Sequence, residues 1–498
     1  MRRRGANSLS VALVTGLLFA SPLDISSAQS ADLMSDLGTI DFPNAGAAKA
    51  QVSFLGGVKA LHSFEFEEAA GAFRTAREAD PDFALAYWGE AMSYNHPLWA
   101  QQDRDAALKV LGRFAATPEA RFAKTPSGRE RGLIEALDIL YGSGNKLSRD
   151  IAYSDAMKAL HETYPNDDEI ATFYAISMLG TVRPGDKGFR RQVQAGALAL
   201  QVFERNPNHP GAAHFVIHSF DDPEHAILAL PAAKVYASIA PDAPHALHMP
   251  SHIFLQLGMW DNVVASNEVS YKAAIDHAER KGLERGRSEY HALQWYHYGQ
   301  LQLGNDAKAQ WALDEALRTL DSIPTVLVRN GTMRMLARNT LETERWSVFD
   351  QNILTDADRN HSGLQLAAGL SGVHTGNIKA AETALANIKA AREHFGKNAS
   401  TAYISRIGAV EEKELEAAMA LAKGDDNIAE QFLVDATVLE AALNAPSGPP
   451  LPMKPSFEMY GEYLLNEGRY DEAAVQFRKA LERSPNRTKS VKGLELAL

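Results

Sequence analysis

Apolar residues recur every three to four positions along most of the chain, the period of helices that bury one face. Ile378 to Arg392 and Glu411 to Lys423 are long Ala-rich examples and predict amphipathic helices. Alternating apolar and polar runs, the mark of half-buried strands, are scarce, so the pattern predicts an all-α protein. Two segments interrupt it. Pro446 to Pro455 is too rich in proline to continue a helix, and is expected to link the last helical unit to the rest. Lys281 to Arg287, rich in charge and glycine, is a second break. At the N-terminus, Arg2, Arg3 and Arg4 precede an apolar run from Val11 to Ala20, and Ser26, Ser27 and Ala28 supply the small residues of a cleavage site. That run is too short to span a bilayer. It reads as a signal peptide cleaved near Ala28, which places the mature chain in the periplasm of a Gram-negative source or otherwise outside the cell. No other stretch is long and apolar enough for a membrane span.

The pattern also repeats. Phe66, Ala69, Phe73, Ala76 and Pro81 return near the C-terminus as Tyr470, Ala473, Phe477, Ala480 and Pro485, with Gly57 and Gly461 in matching places. These spacings resemble the tetratricopeptide repeat, a 34-residue helix–turn–helix unit. Further units are expected to start near Ala84, Pro210, Pro244 and Tyr290, with looser ones around Asp168, His361 and Lys413. The resemblance implies an all-α, right-handed solenoid with a concave groove, in which each unit buries a face on its neighbour. The expected organisation is a signal peptide over 1–28 and a linker over 29–50. A His-rich solenoid follows over 51–280, further repeats over 288–445, a Pro-rich linker over 446–456 and a C-terminal unit over 457–498.

Composition narrows the chemistry. Among 498 residues, 50 Lys and Arg face 62 Asp and Glu, a net charge of −12. No basic field is evident, so nucleic acid is not an expected partner. Cysteine is absent, which removes disulfides, thiolate metal sites, iron–sulfur clusters and cysteine nucleophiles. Any metal must be held by His, carboxylate or backbone oxygen.

Histidine makes the chain specific. Residues 209–297 hold ten of the 16 His, where an even spread puts about three. His214 and His248 stand 34 residues apart, as do His218 and His252, so two consecutive units carry His-x-x-x-His at positions 5 and 9. At about 100° per residue, positions 2, 5, 9 and 12 form a stripe turned some 130° from the packing stripe. In tetratricopeptide repeats that stripe lines the groove. His245 and His291 take position 2 of their units, and Asp221 and Asp222 follow the first pair at positions 12 and 13. Imidazoles at i,i+4 share a helix face, and neighbouring helices lie about 8–10 Å apart, so both pairs are expected to converge on one ion. The expected ligands are His214, His218, His245, His248, His252 and His291. Such donors suit a divalent transition metal, zinc first, with copper, iron or nickel as alternatives. Asp221 and Asp222 are candidates for a partner to the ligands or a general base. Phe215 and Met249, not Glu, follow the first His of each pair, so the zincin motif is absent. Pro250 either kinks its helix or begins it.

A second constellation, Trp88, Met92, Asn95 and His96, is a candidate organic-ligand lining, although Trp and Met also fill gaps between helices. No phosphate loop, nucleophile elbow or EF-hand is present. The sequence reads as an exported solenoid that binds a transition metal on its concave face, with a metal-dependent hydrolase as one outcome. The alternative is a non-catalytic scaffold or metal carrier. The groove's expected partner is a peptide, protein or small-molecule ligand.

Overall fold

In the computed structural model, which describes residues 36–126, 128–283, 288–349 and 351–498, helix follows helix from Ala48 to Ala497. The signal peptide read over 1–28 and part of the break at 281–287 lie outside the described residues. Successive helices pack on one another as hairpins. Ala48–His62 pairs with Phe66–Ala79, Ala84–Met92 with Arg104–Phe114, and Gly128–Leu140 with Lys146–Thr163. Asp168–Leu179 pairs with Arg190–Arg205, and Pro210–Ser219 with Ala226–Ile239. Then Pro244–His248 and Pro250–Gln256 together face Trp260–Lys281, and Ser288–Gln302 faces Asp306–Ser322. After Val326–Thr343 come the pairs Ser362–His374 with Ile378–Gly396, Ala402–Leu421 with Asp426–Ala441, and Ser456–Asn466 with Tyr470–Arg483, closed by Thr488–Ala497. Among the described residues the extended structure is one two-residue ladder, Asn95–His96 with Gln101–Gln102. This is an all-α solenoid of the tetratricopeptide type.

The repeated aromatic and small positions have a packing cause. Phe73 is wedged between Gly57 and Gly89, and Phe477 between Gly461 and Gly493; in each case a Cβ on the glycine would press on the ring. Large residues lock into the space that small ones leave, which fixes the spacing of neighbouring helices. The expected starts at Ala84, Pro210 and Pro244 coincide with helix starts, and those at Asp168, His361 and Tyr290 fall within two residues of one. The start expected at Lys413 falls inside Ala402–Leu421: this 20-residue helix outgrows the unit and breaks the 34-residue count.

First helices of successive pairs also pack side by side, Asp168–Leu179 on Pro210–Ser219 and Ser288–Gln302 on Val326–Thr343 among them. The superhelical turn brings the N-terminal Ala48–His62 against Pro210–Ser219. At the other end the C-terminal unit returns to the middle of the chain: Trp260 Nε1 donates to the Asn486 carbonyl (2.8 Å) and Thr488 N to Gln302 Oε1 (3.0 Å).

Candidate metal centre

Three helix starts set five of the six imidazoles, and His291 rides on Ser288–Gln302. Pro210 opens Pro210–Ser219, and His209 caps it by accepting the Ala212 N–H on Nδ1 (3.1 Å). Gly211 leaves room for the His62 ring, which a Cβ there would overlap. Pro244 then opens a short helix ending at His248, Met249 keeps helical angles (φ −55°, ψ −36°), and a second short helix starts at Pro250. The sequence left a kink or a fresh start open, and the chain combines them. Pro250 has no N–H for the Ala246 carbonyl, so the helix breaks there while His248 stays helical.

The six expected ligands form two groups of three. His214, His218 and His245 each turn a ring nitrogen to within 4.8 Å of the others, and so do His248, His252 and His291. His245 Nε2 lies 3.2 Å from His214 Nε2, and His248 Nε2 lies 3.1 Å from His252 Nε2. Two nitrogens on a tetrahedral ion with bonds of 2.0–2.1 Å stand about 3.3 Å apart. The expected convergence of both i,i+4 pairs on one ion is thereby corrected. Each pair instead takes its third imidazole from position 2 of the following unit.

Hydrogen bonds fix which nitrogen faces inward. His214 Nδ1 donates to the His62 carbonyl (2.7 Å) and His252 Nδ1 to Asp221 Oδ2 (2.7 Å). His248 Nδ1 donates to Asn267 Oδ1 (2.6 Å); that amide cannot be flipped, because its Nδ2 donates to the Val263 carbonyl (2.7 Å). These are the outer contacts that orient metal-bound imidazoles. They leave His248 and His252 with facing Nε2 lone pairs, which repel unless a cation lies between them. His218 Nε2 is buried with no hydrogen-bond partner, a cost of about 1–3 kcal/mol. Burial, reinforced by neighbouring imidazoles, holds His214 and His291 down to about 3 and pulls His218, His245 and His248 well below the usual range. At neutral pH these rings are neutral, as metal ligation requires.

Aromatic rings wall the centre. Phe64 takes a left-handed backbone (φ 59°) at the end of the first helix, a position where glycine is usual. Its ring centroid lies 4.4 Å from His214, 5.5 Å from His218 and 5.6 Å from His245. Trp295, one turn beyond His291, stands 5.0 Å from His248 and 4.4 Å from His252. The Pro-rich segment lies over this wall: Gly448 approaches the Trp295 ring, Gln256 Nε2 donates to the Pro446 carbonyl (2.8 Å), and Arg338 to the Pro450 carbonyl (3.2 Å).

The remaining sequence candidates divide. Asp221 accepts from His252 and from Gln256 Nε2 (3.2 Å), so it orients a ligand. Asp222 accepts from the Glu224 and His225 backbone and the His225 ring. These contacts place Asp221 behind a ligand and Asp222 in the turn before Ala226–Ile239. Trp88 is fully buried between Phe42 and Phe173, in the core and off any groove lining. Met92 and Asn95 line a small separate cavity with Asp150, Tyr153 and Ser177. His96 stacks on Phe66 (4.0 Å), which stacks on Phe64 (5.4 Å), so it borders the centre through two rings.

No protein-family model and no curated protein matches the chain. Solved structures with partial likeness include a human IFIT1 dimer with m7Gppp-AAAA (14% identity, 92% of this chain and 90% of that one, TM-score 0.37). Yeast Tom70 (13%, 90% and 94%, 0.34) and the APC/C hetero-tetramer Cut9-Hcn1 (13%, 92% and 78%, 0.35) are others. The likeness is one of fold.

A third group, His62, Glu169 and His209, has comparable spacing but different chemistry. His209 Nδ1 already accepts from Ala212, so its Nε2 carries the proton and donates to Glu169 Oε1 (3.2 Å), while His62 Nε2 bonds Glu169 Oε2 (2.8 Å). Both Glu169 oxygens and three of the four ring nitrogens are taken up by hydrogen bonds within the group and to Ala212, and the His62 carbonyl makes it the support behind His214. Sequence reasoning missed Phe64, Asn267, Gln256 and Trp295. Only Trp295 left a local signal, being at i+4 from His291.

Proposed function

We propose that this chain is an exported tetratricopeptide-type solenoid that binds a transition metal through His214, His218, His245, His248, His252 and His291. One observation carries this reading: the imidazole nitrogens face one another within 4.8 Å in each group, while the Nδ1 hydrogens of His214, His248 and His252 are taken up by protein acceptors. Neutral nitrogen donors suit zinc, copper(II), nickel and iron(II). Three imidazoles leave coordination positions open, the arrangement of catalytic rather than structural metal sites, and metal-assisted hydrolysis is the simplest chemistry for it.

The test is elemental analysis of protein purified without a histidine tag or chelator, beside the His218→Ala/His252→Ala double variant. The expected result is bound transition metal that the variant loses, followed by a screen of ester and phosphoester hydrolysis. Absence of metal after incubation with zinc, copper and iron overturns the reading, and moves the search to a peptide or small-molecule ligand.

A further inference from the structure

We infer that the six histidines form a binuclear centre, one ion per group of three, with a small anion shared between the ions. The inference rests on the metal-binding reading above and deepens it. The two groups are built alike: each is an i,i+4 pair at positions 5 and 9 of one unit completed by the position-2 imidazole of the next. Two adjacent repeat junctions thus present the same donor set. The groups also abut. His218 and His252 rings lie 6.1 Å apart and His245 and His248 rings 6.3 Å apart, no farther than the 4.4–6.4 Å between rings inside a group. Ions held by such neighbours are close enough to share one ligand, as in two-metal sites with ions about 3.5–4 Å apart.

Charge then specifies that ligand. Six neutral imidazoles leave two divalent ions uncompensated beside the apolar rings of Phe64 and Trp295. Asp221 supplies one negative charge, through the far nitrogen of His252. A buried positive excess is costly, so the position between the ions takes an anion: hydroxide at rest, and small anions such as azide in competition.

The experiment titrates metal-free, full-length protein with copper(II), counting bound ions and unpaired spins. The expected result is two ions per chain at saturation, a paramagnetic signal far below the copper content because the shared ligand couples the spins, and a spectral change on adding azide. His218→Ala and His291→Ala, each checked for helix content, should keep about one ion at full spin intensity. One ion per chain at saturation overturns the binuclear centre and leaves metal binding standing, as do two ions with full spin intensity. No bound copper, zinc or iron sinks both readings.

Discussion

An imidazole presents one lone pair, so the hydrogen bond on one nitrogen decides what the other offers. At His248 that decision belongs to Asn267, whose amide orientation is held by its bond to Val263. Asn267→Leu frees the His248 proton to move to Nε2, where it opposes a metal. We expect metal affinity to fall about 10- to 100-fold, measured by competition with a chromophoric chelator, with helix content unchanged. An affinity within twofold of the parent would show that Asn267 does not set the tautomer. His252 and His214 use a carboxylate and a backbone carbonyl for the same purpose, so the centre is oriented from three unrelated parts of the chain.

Helices carry these side chains only as well as they are placed. Pro210–Ser219 lies against the end of Ala48–His62 because Gly211 admits the buried His62 ring, which is pinned by Glu169 and stacked on Phe173 at 4.8 Å. Gly211→Ala improves helix propensity by up to about 1 kcal/mol. It also drives a methyl group into a ring with nowhere to go, an overpacking cost of about 1–3 kcal/mol. The clash should win, with a net loss of about 1–2 kcal/mol in urea unfolding; a gain in stability would mean the His62 ring is not fixed. The same clash moves the His62 carbonyl that holds His214, so metal affinity should fall with stability. At the neighbouring unit the break at Pro250 shapes the second group, ending one short helix just past His248 and starting another before His252.

Closure of the solenoid depends on a buried ion cluster. Arg487 donates through Nε and Nη2 to both oxygens of Glu458 (2.8 and 2.9 Å) and through Nη1 to Glu342 (2.6 Å) and the Tyr298 hydroxyl (3.1 Å). Glu458 belongs to the C-terminal unit, Glu342 and Tyr298 to the middle of the chain. Arg487→Met removes the guanidinium from two buried carboxylates and leaves Glu458 with Lys454 and Ser490 and Glu342 with Gln302, a loss toward the lower end of about 3–5 kcal/mol. Each unit of a solenoid is held mainly by its neighbours, so the loss should appear in calorimetry as an early transition of the C-terminal unit before the main one. A single, unshifted transition would show that this contact does not couple the two regions. The Pro-rich segment, tied to Gln256 and Arg338, makes a further long-range contact, over the Trp295 wall.

Much of this was legible in the residues because it is local. Helical period, proline starts and the large-against-small code of the repeat are set within one unit, so the all-α solenoid and most helix starts follow from them. The i,i+4 geometry likewise put His214 with His218 and His248 with His252 on shared faces. The count drifted where a helix outgrew the unit, at Ala402–Leu421. What the residues by themselves determined is therefore the repeat, and which imidazoles pair at i,i+4. Only the tertiary structure decided that each pair joins the next unit's position 2, that Asn267 sets one ring, and that Phe64, some 150 positions before His214, roofs the site. The physical reason is that side-chain partners across units depend on crossing angles and superhelical turn. These accumulate over many residues and leave no trace in any single window of sequence.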